Sequence, residues 1–284
     1  MAFRGGAPFC PSLPRAGRGV RGFAGSDYAM NRVTRIRAEQ IVGIIPARWG
    51  STRFPGKMLA PVAGKPLVES VLTGCMRSKR VQRWIVATDD RRIAHVVQQA
   101  GGEAVMTPRN LKSGSDRVAL VASRLRARWI VNWQGDEWLP DGRPIDLLVE
   151  ALESHPECPV ATLARLLGVS EGKNPNRVKV VVSQSGRALY FSRALIPHDS
   201  SGTTPSWLHL GAYAFERRTL LQFAEWSQTP LEKRERLEQL RLLEHDVPIT
   251  VALCRVQTCG VDTPVDAEAL EAQLLARRRV RGGK

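Results

Sequence analysis

The residues best suited to chemistry sit in one short basic loop. Residues 44–57 read Ile-Ile-Pro-Ala-Arg-Trp-Gly-Ser-Thr-Arg-Phe-Pro-Gly-Lys. An apolar strand expected over 41–46 ends at Pro46. The loop after it carries Arg48, Arg53 and Lys57 among small residues. Small residues let backbone N–H groups approach a ligand closely, and three cations within ten residues suit a polyphosphate. Neither the phosphate loop ending in Gly-Lys-Ser/Thr nor a dinucleotide fingerprint of spaced glycines is present. A surface loop of solvated arginines is the alternative reading.

Two acidic positions follow other expected strands. Asn132-Trp133-Gln134-Gly135-Asp136-Glu137 comes after an apolar run at 129–133, and Val261-Asp262-Thr263-Pro264 follows the last strand segment. Mg²⁺ usually takes one or two carboxylates, with substrate phosphates and water completing its shell. Asp136 and Asp262 are therefore the candidate metal ligands. Taken singly, each is better read as an Asp bonding its own turn; as a pair at strand ends opposite three cations, they bring the metal reading level with it. Lys112-Ser113-Gly114-Ser115-Asp116-Arg117 could present donors to a base or phosphate, or simply cap a helix. His209 and Tyr213, four apart on an expected strand, share a face. Glu238 and Gln239 fall within an expected helix at 231–244, as its wet face or as a polyol grip.

Alternating elements must position these groups. Strands are expected at 41–46, 83–88 and 129–133, with helices at 66–77, 90–100 and 115–127 between them. Apolar strands separated by amphipathic helices predict a parallel sheet covered on both faces. Further strands are expected at 160–165, 177–183, 187–191 and 249–254, and helices at 217–226, 231–244 and 265–276. Thr263 is placed to cap the last helix, with Pro264 in its first turn. The stretch 187–215 breaks the alternation and reads as an inserted β arm.

The chain has 284 residues and a formal charge of +15. Residues 1–40 contribute +5, residues 277–284 another +5, and the core 41–276 the remaining +5. That core charge suits an anionic small molecule and argues against a specific nucleic-acid surface. The basic ends read as solvated tails. No run reaches the roughly 18 apolar residues of a membrane span. Residues 1–40, rich in Arg and Gly and without periodicity, read as a disordered extension. An organellar transit peptide is open for this segment, and a start at Met30 is the favoured reading. Cys10, Cys75, Cys158, Cys254 and Cys259 are odd in number and scattered. They indicate neither a disulfide framework nor a zinc site, so a reducing cytoplasm is expected.

Over about residues 42–275 the chain resembles the 3-deoxy-D-manno-octulosonate cytidylyltransferase (CMP-Kdo synthetase) family. The resemblance rests on Ile-Ile-Pro-Ala-Arg (44–48), Ser-Thr-Arg-Phe-Pro-Gly-Lys (51–57), Val-Ala-Thr-Asp (86–89), Gln-Gly-Asp-Glu (134–137) and Asn-Pro-Asn-Arg-Val-Lys-Val-Val (174–181). Ala-Leu-Tyr-Phe-Ser-Arg-Ala (188–194), His-Leu-Gly-Ala-Tyr (209–213), Leu-Glu-Gln-Leu-Arg (237–241) and Gly-Val-Asp-Thr-Pro (260–264) extend it. It implies a Rossmann-like, mostly parallel α/β sheet with helices on both faces, of nucleotide-diphospho-sugar transferase type, and a β arm that serves dimerisation and sugar binding. It also implies a cytoplasmic, Mg²⁺-dependent homodimer that joins CMP from CTP to a 2-keto-3-deoxy sugar acid for lipopolysaccharide synthesis. By the family's pattern, Arg48, Ser51, Arg53 and Lys57 hold the triphosphate, and Ser113, Arg117 and Gln134 meet the cytidine or the sugar. Asp136 and Asp262 bind magnesium, while Arg193, His209, Tyr213, Glu238 and Gln239 hold the sugar acid. Arg48, Lys57, Asp136 and Asp262 form the catalytic set. Two departures stand out: Trp138 replaces the usual Pro after Gln-Gly-Asp-Glu, and the segment His198 to Trp207 is short and lacks arginine. The shortening leaves a related sugar acid, an amino analogue or a nonulosonate as alternative acceptors. A nucleotide-binding regulator without catalysis is the alternative from another class.

Overall fold

Alternation along the first strand, Ile41–Ala47, shows how the fold is built. Ile41 and Ile45 point into one apolar cluster, Val42 and Ile44 into another on the opposite face. A strand buried on both sides needs helices above and below it. In the computed structural model the helices Leu67–Cys75, Arg91–Gln99 and Arg143–Ser154 cover the first face, and Gly114–Ala122 and Arg217–Glu225 the second. Each Leu, Ile or Val so buried stabilises the fold by roughly 1.5–3 kcal/mol relative to exposure. The structure describes residues 40–282 apart from 52, 169–170, 199–205 and 257, with side chains up to 277. Expectations for residues 1–39 and most of the 198–207 loop fall outside it. The described residues belong to one compact unit. Among them, no helix is long and apolar enough to cross a membrane.

The main sheet has a parallel half and an antiparallel half. Ile41–Ala47 lies between Arg83–Thr88 and Trp129–Asn132, parallel to both, and Glu103–Met106 extends the parallel edge beyond Arg83–Thr88. The chain thus moves outward from the first strand, then crosses back to its other side. The crossing makes a topological switch between Ile41–Ala47 and Trp129–Asn132, and open α/β sheets bind ligands beyond the strand ends at such a point.

The antiparallel half turns on one strand, Trp207–Glu216, which pairs with Trp129–Asn132, Val160–Leu166 and Lys179–Val182. Ala188–Ser192 pairs with Lys179–Val182, and Ile249–Leu253 runs parallel to Val160–Leu166. The segment expected as an inserted arm is therefore woven into the sheet. His209 lies opposite Ala164 and Tyr213 opposite Thr162, with an irregularity between Leu210 and Tyr213. The partners are themselves two apart, so the irregularity preserves the side of the sheet, and the shared face expected for His209 and Tyr213 holds.

Two elements depart from the sequence-based expectation. The helix expected at 231–244 is broken into Pro230–Glu235 and Leu240–Glu244, with Arg236 left-handed at φ 55°. The carbonyls of Glu235 and Arg236 accept instead from Arg193 Nε (2.8 Å) and Nη2 (3.2 Å). Glu238 and Gln239 consequently sit in the break and not on a helix face. The closing helix runs over Pro264–Gly282, past the expected end at 276, so its backbone takes in most of the basic tail. Its start is as expected: Thr263 and Asp266 cap one another, Thr263 N donating to Asp266 Oδ2 at 2.8 Å.

Candidate active site

The basic loop leaves the first strand at the switch point and is held from several sides. Trp49 N donates to Asp89 Oδ1 (2.9 Å), and the Arg92 guanidinium lies 3.5 Å from the centre of the Trp49 ring. Gly56, at φ 70°, closes the loop beneath that ring, where a Cβ would come within 2.7 Å of it. This turn lifts Lys57 into a short 3₁₀ turn, Lys57–Leu59, whose first two residues are buried.

The acidic loop reaches the same place from the neighbouring strand. Gly135 packs against the carbonyl of Pro46, and a Cβ there would sit 2.6 Å from that oxygen. The close approach brings Asp136 onto the lysine. Lys57 Nζ donates to Asp136 Oδ2, to Asp262 Oδ1 at 3.4 Å and to the carbonyl of Val261 at 3.3 Å. Arg53 also reaches Asp262, at 3.1 Å. Residues 57, 136 and 262 thus meet at one ammonium group. Among the described residues no three His, Cys, Asp or Glu side chains are grouped to hold a metal.

Two cavities open beyond this cluster, sharing Arg48, Arg53, Gln134, Glu238 and Asp262 in their walls. The smaller, about 480 Å³, takes in Ser51, Lys57, Ser113, Arg117 and Asp136. Ser113 caps the helix Gly114–Ala122 in a reciprocal box with Asp116. Arg117 is buried, paired with Asp89 (3.3 Å) and bonded to the Thr107 hydroxyl. Burial pulls its guanidinium below the usual range, and the Asp89 charge opposes that. Asp89 therefore ties the basic loop to the helix that supplies Arg117.

The larger cavity, about 980 Å³, is lined by Arg193, His209, Tyr213 and Gln239 as well as the shared residues. Arg193 is turned largely toward the protein: Nε, Nη1 and Nη2 donate to the carbonyls of Glu235, Pro175 and Arg236. His209 packs against Phe191 and Tyr213, and burial lowers its pKa to about 3, so the imidazole is neutral. The Thr162 hydroxyl lies 2.9 Å from the carbonyl of Ala212 and 3.4 Å from that of Leu210. Its contact with His209 Nε2 at 3.0 Å is a hydrogen bond whose direction follows the imidazole tautomer. The neutral ring offers one donor and one acceptor nitrogen. Glu238 accepts from Ser115 Oγ at 2.8 Å; burial raises its pKa, and the Ser115 and Ser113 hydroxyls oppose the rise.

All the residues expected at the site line one cavity or the other. Sequence reasoning missed Glu137 and the 174–177 loop as walls of the larger one. Burial first, then the charges of Asp136 and Asp262, push the Glu137 carboxyl up to about 7, against the Thr258 hydroxyl and, more weakly, the charge of Arg177. Its position directly after Asp136 was the available signal. Trp138, the departure from the family pattern, is buried, pairs in register with Cys259 and carries the Arg277 guanidinium 5.5 Å from its ring centre.

Cations from one strand end facing carboxylates from two others, at the switch point of an α/β sheet, define a nucleotidyltransferase-type pocket. The family described as Cytidylyltransferase matches residues 42–249. A 3-deoxy-manno-octulosonate cytidylyltransferase of Syntrophobacter fumaroxidans is 49% identical over 81% of this chain and 95% of its own length. One from Trichlorobacter lovleyi is 46% identical over 80% and 95%. The chain belongs to the 3-deoxy-manno-octulosonate cytidylyltransferase family. A solved CMP:2-keto-3-deoxy-manno-octonic acid synthetase complexed with CTP superposes with a TM-score of 0.80 at 36% identity, over 84% of this chain and 99% of that one. HddC from Yersinia pseudotuberculosis, 11% identical with a TM-score of 0.61 over 82% and 99%, shares the fold.

Proposed function

We propose that this enzyme transfers CMP from CTP to the anomeric hydroxyl of 3-deoxy-D-manno-octulosonate (Kdo) and releases diphosphate, activating the sugar for lipopolysaccharide synthesis. The observation that carries the reading is the convergence of Asp136 and Asp262 on Lys57, where the two cavities adjoin. The smaller, cation-lined cavity takes CTP, with Arg48, Ser51, Arg53 and Lys57 on the triphosphate and Ser113, Arg117 and Gln134 toward the nucleoside. The larger cavity takes the sugar acid, with Gln134, His209, Tyr213, Glu238 and Gln239 on its hydroxyls and Arg193 bracing the wall behind them.

The anomeric hydroxyl attacks the α-phosphorus in line, and diphosphate departs. Positioning and charge neutralisation supply the catalysis. Lys57 and Arg48 neutralise the leaving diphosphate, and the neutral His209 orients a sugar hydroxyl. The donor set suits Mg²⁺: two carboxylates share one focus, and substrate phosphates and water complete such a shell. Asp136 and Asp262 would hold the ion, which when bound polarises the phosphate and lowers the pKa of the attacking hydroxyl. A cytoplasmic homodimer is part of the same reading. The unpaired Cys75, Cys158, Cys254 and Cys259 support a reducing compartment.

Incubation with CTP, Mg²⁺ and Kdo should give diphosphate and a CMP-sugar, and Asp262→Ala should lower kcat/KM by roughly a hundred-fold or more. Normal synthesis by Asp262→Ala at saturating Mg²⁺ would overturn the catalytic reading. Turnover of other sugar acids but not Kdo would overturn the acceptor.

A further inference from the structure

A third cavity, of about 300 Å³, shares no lining residue with the two already described. Its volume lies at the low end of the range for small-molecule sites. Lys65, Arg77 and Arg277 bring three cations to its wall, Ser70 and Thr73 two hydroxyls, and Trp138 an apolar surface. Among the described residues no Asp or Glu lines it.

Segments far apart in the sequence converge to build this cavity. Ser70 and Thr73, three apart on the helix Leu67–Cys75, share a face of it. Gly74 lets that helix close on the chain that continues the acidic loop, since a Cβ there would sit 2.7 Å from the carbonyl of Leu139. Arg77 Nη1 donates to the next carbonyl, that of Pro140, at 2.7 Å, which anchors the guanidinium at the wall. Arg277 comes from the closing helix and lies 5.5 Å from the centre of the Trp138 ring.

Charge decides what such a cavity takes. Lys65 is paired with Glu69. Neither Arg77 nor Arg277 forms an ion pair among the described residues: the one is held by the Pro140 carbonyl, the other lies against the Trp138 ring. Residues 272–284 hold no Asp or Glu and include Arg277, Arg278, Arg279, Arg281 and Lys284. The local potential is therefore positive. Two guanidinium forks, an ammonium and two hydroxyls match the oxygens of a phosphate group. The Trp138 side suits a compact organic part attached to it.

Trp138 also fixes where the cavity stands. Successive strand residues face opposite sides. Glu137 lines the larger cavity and Trp138 this one, and both pair with Cys259–Gly260. The short ladder thus has the sugar-sized cavity on one side and the basic cavity on the other.

We propose that the basic cavity is a second anion site, which binds a small phosphate monoester with an aromatic or other apolar part. It is separate from the nucleotide cavity and does not depend on the reaction proposed above.

Phenyl phosphate is the probe, titrated into the full chain without metal or CTP. The readout is the indole N–H resonance of Trp138, assigned by its loss in Trp138→Phe. In the wild type it should shift and saturate at millimolar probe or below. Arg277→Gln and Thr73→Glu should each raise the midpoint by about ten-fold or more, the first by removing a charge-assisted bond, the second by placing a carboxylate among the cations. Both substitutions fall on exposed side chains, and both variants should keep the wild-type KM for CTP. Arg48→Gln, in the walls of the other two cavities, should leave the Trp138 midpoint unchanged. Inorganic phosphate should bind more weakly than phenyl phosphate, and phenol should not bind. An unmoved Trp138 resonance, wild-type midpoints in both cavity variants, or a midpoint that moves with Arg48→Gln would overturn the site. Equal binding of inorganic phosphate or of phenol would overturn the monoester assignment.

Discussion

The neutral state of His209 has a measurable consequence for acid stability. In the folded protein its pKa is lowered to about 3 by burial, against an ordinary 6.5 in the unfolded chain. Between those values the unfolded chain takes up a proton that the folded one refuses. The contribution of His209 is therefore fully present above pH 6.5 and is lost as pH falls toward 3, at ~1.4 kcal/mol per pH unit. Going from pH 7 to pH 5 should remove up to ~2 kcal/mol through this residue alone. The figure is a ceiling, because one side of the ring faces the larger cavity, where water screens the imidazolium. Urea unfolding of wild type and His209→Gln at pH 7, 6 and 5 isolates the effect, since every other titrating group is common to both. The wild-type free energy should fall by up to ~2 kcal/mol more than the variant's over that range. Nitrogen chemical shifts should in addition report a neutral imidazole at pH 6. Parallel stability curves, or a folded-state titration near 6.5, would refute the neutral ring.

Two further outcomes concern Glu137 and Gly142. Glu137 titrates in the opposite sense: its folded pKa of about 7 lies above the ordinary 4.5, so its favourable contribution is complete below 4.5 and is lost as pH rises through 7. In metal-free buffer at pH 8, Glu137→Gln should be more stable than wild type by up to ~3 kcal/mol, with the gap closing by pH 4.5; a pH-independent difference in urea midpoints would contradict this. Gly142→Ala should destabilise by ~3 kcal/mol or more, because the new Cβ would lie 2.1 Å from Ser78 N and 2.3 Å from Ser78 Cα. That backbone cannot yield cheaply, as the Ser78 hydroxyl bonds Asp146 at 2.6 Å and accepts from Arg80 N and Val81 N. Gly50→Ala, with open space around its Cβ, is the control, and equal unfolding temperatures for the two variants would refute the steric argument.

The parallel half of the sheet was legible because its strands are apolar on both faces and its helices amphipathic, so the two periods alternate plainly. The short edge strand Glu103–Met106 was not, since its alternation is brief and half-exposed. The helix Arg143–Ser154 was also missed, although Pro144 marks its first turn and Leu148, Val149 and Leu152 repeat at helical spacing. The break at 236–239 lay beyond local reading. Leu237, Leu240 and Leu243 keep helical spacing across it, and the interruption comes from a guanidinium more than forty residues upstream that captures the helix's own carbonyls. A periodicity argument sees only the side chains of the segment itself, and here the deciding donor, Arg193, comes from just beyond the strand Ala188–Ser192.

The site shows the same division between what a segment states and what only topology decides. Each cluster announced itself by residue type: cations after one strand, carboxylates after two others. Nothing in the spacing of Lys57, Asp136 and Asp262 placed them at one point. The switch in strand order does so by making Ile41–Ala47 and Trp129–Asn132 neighbours, so that the loops leaving their ends must meet. Gly135 then removes the Cβ that would hold the loops apart at the Pro46 carbonyl. The last contributor arrives differently: Cys259 and Gly260 pair with Trp138 and Glu137, which hangs Asp262 from the acidic loop itself. The two carboxylates are thus positioned by one backbone ladder, and the lysine by another strand end. A change that loosens the short pairing at Cys259–Gly260 would therefore displace Asp262 relative to Asp136 without disturbing the grip of the basic loop on a triphosphate.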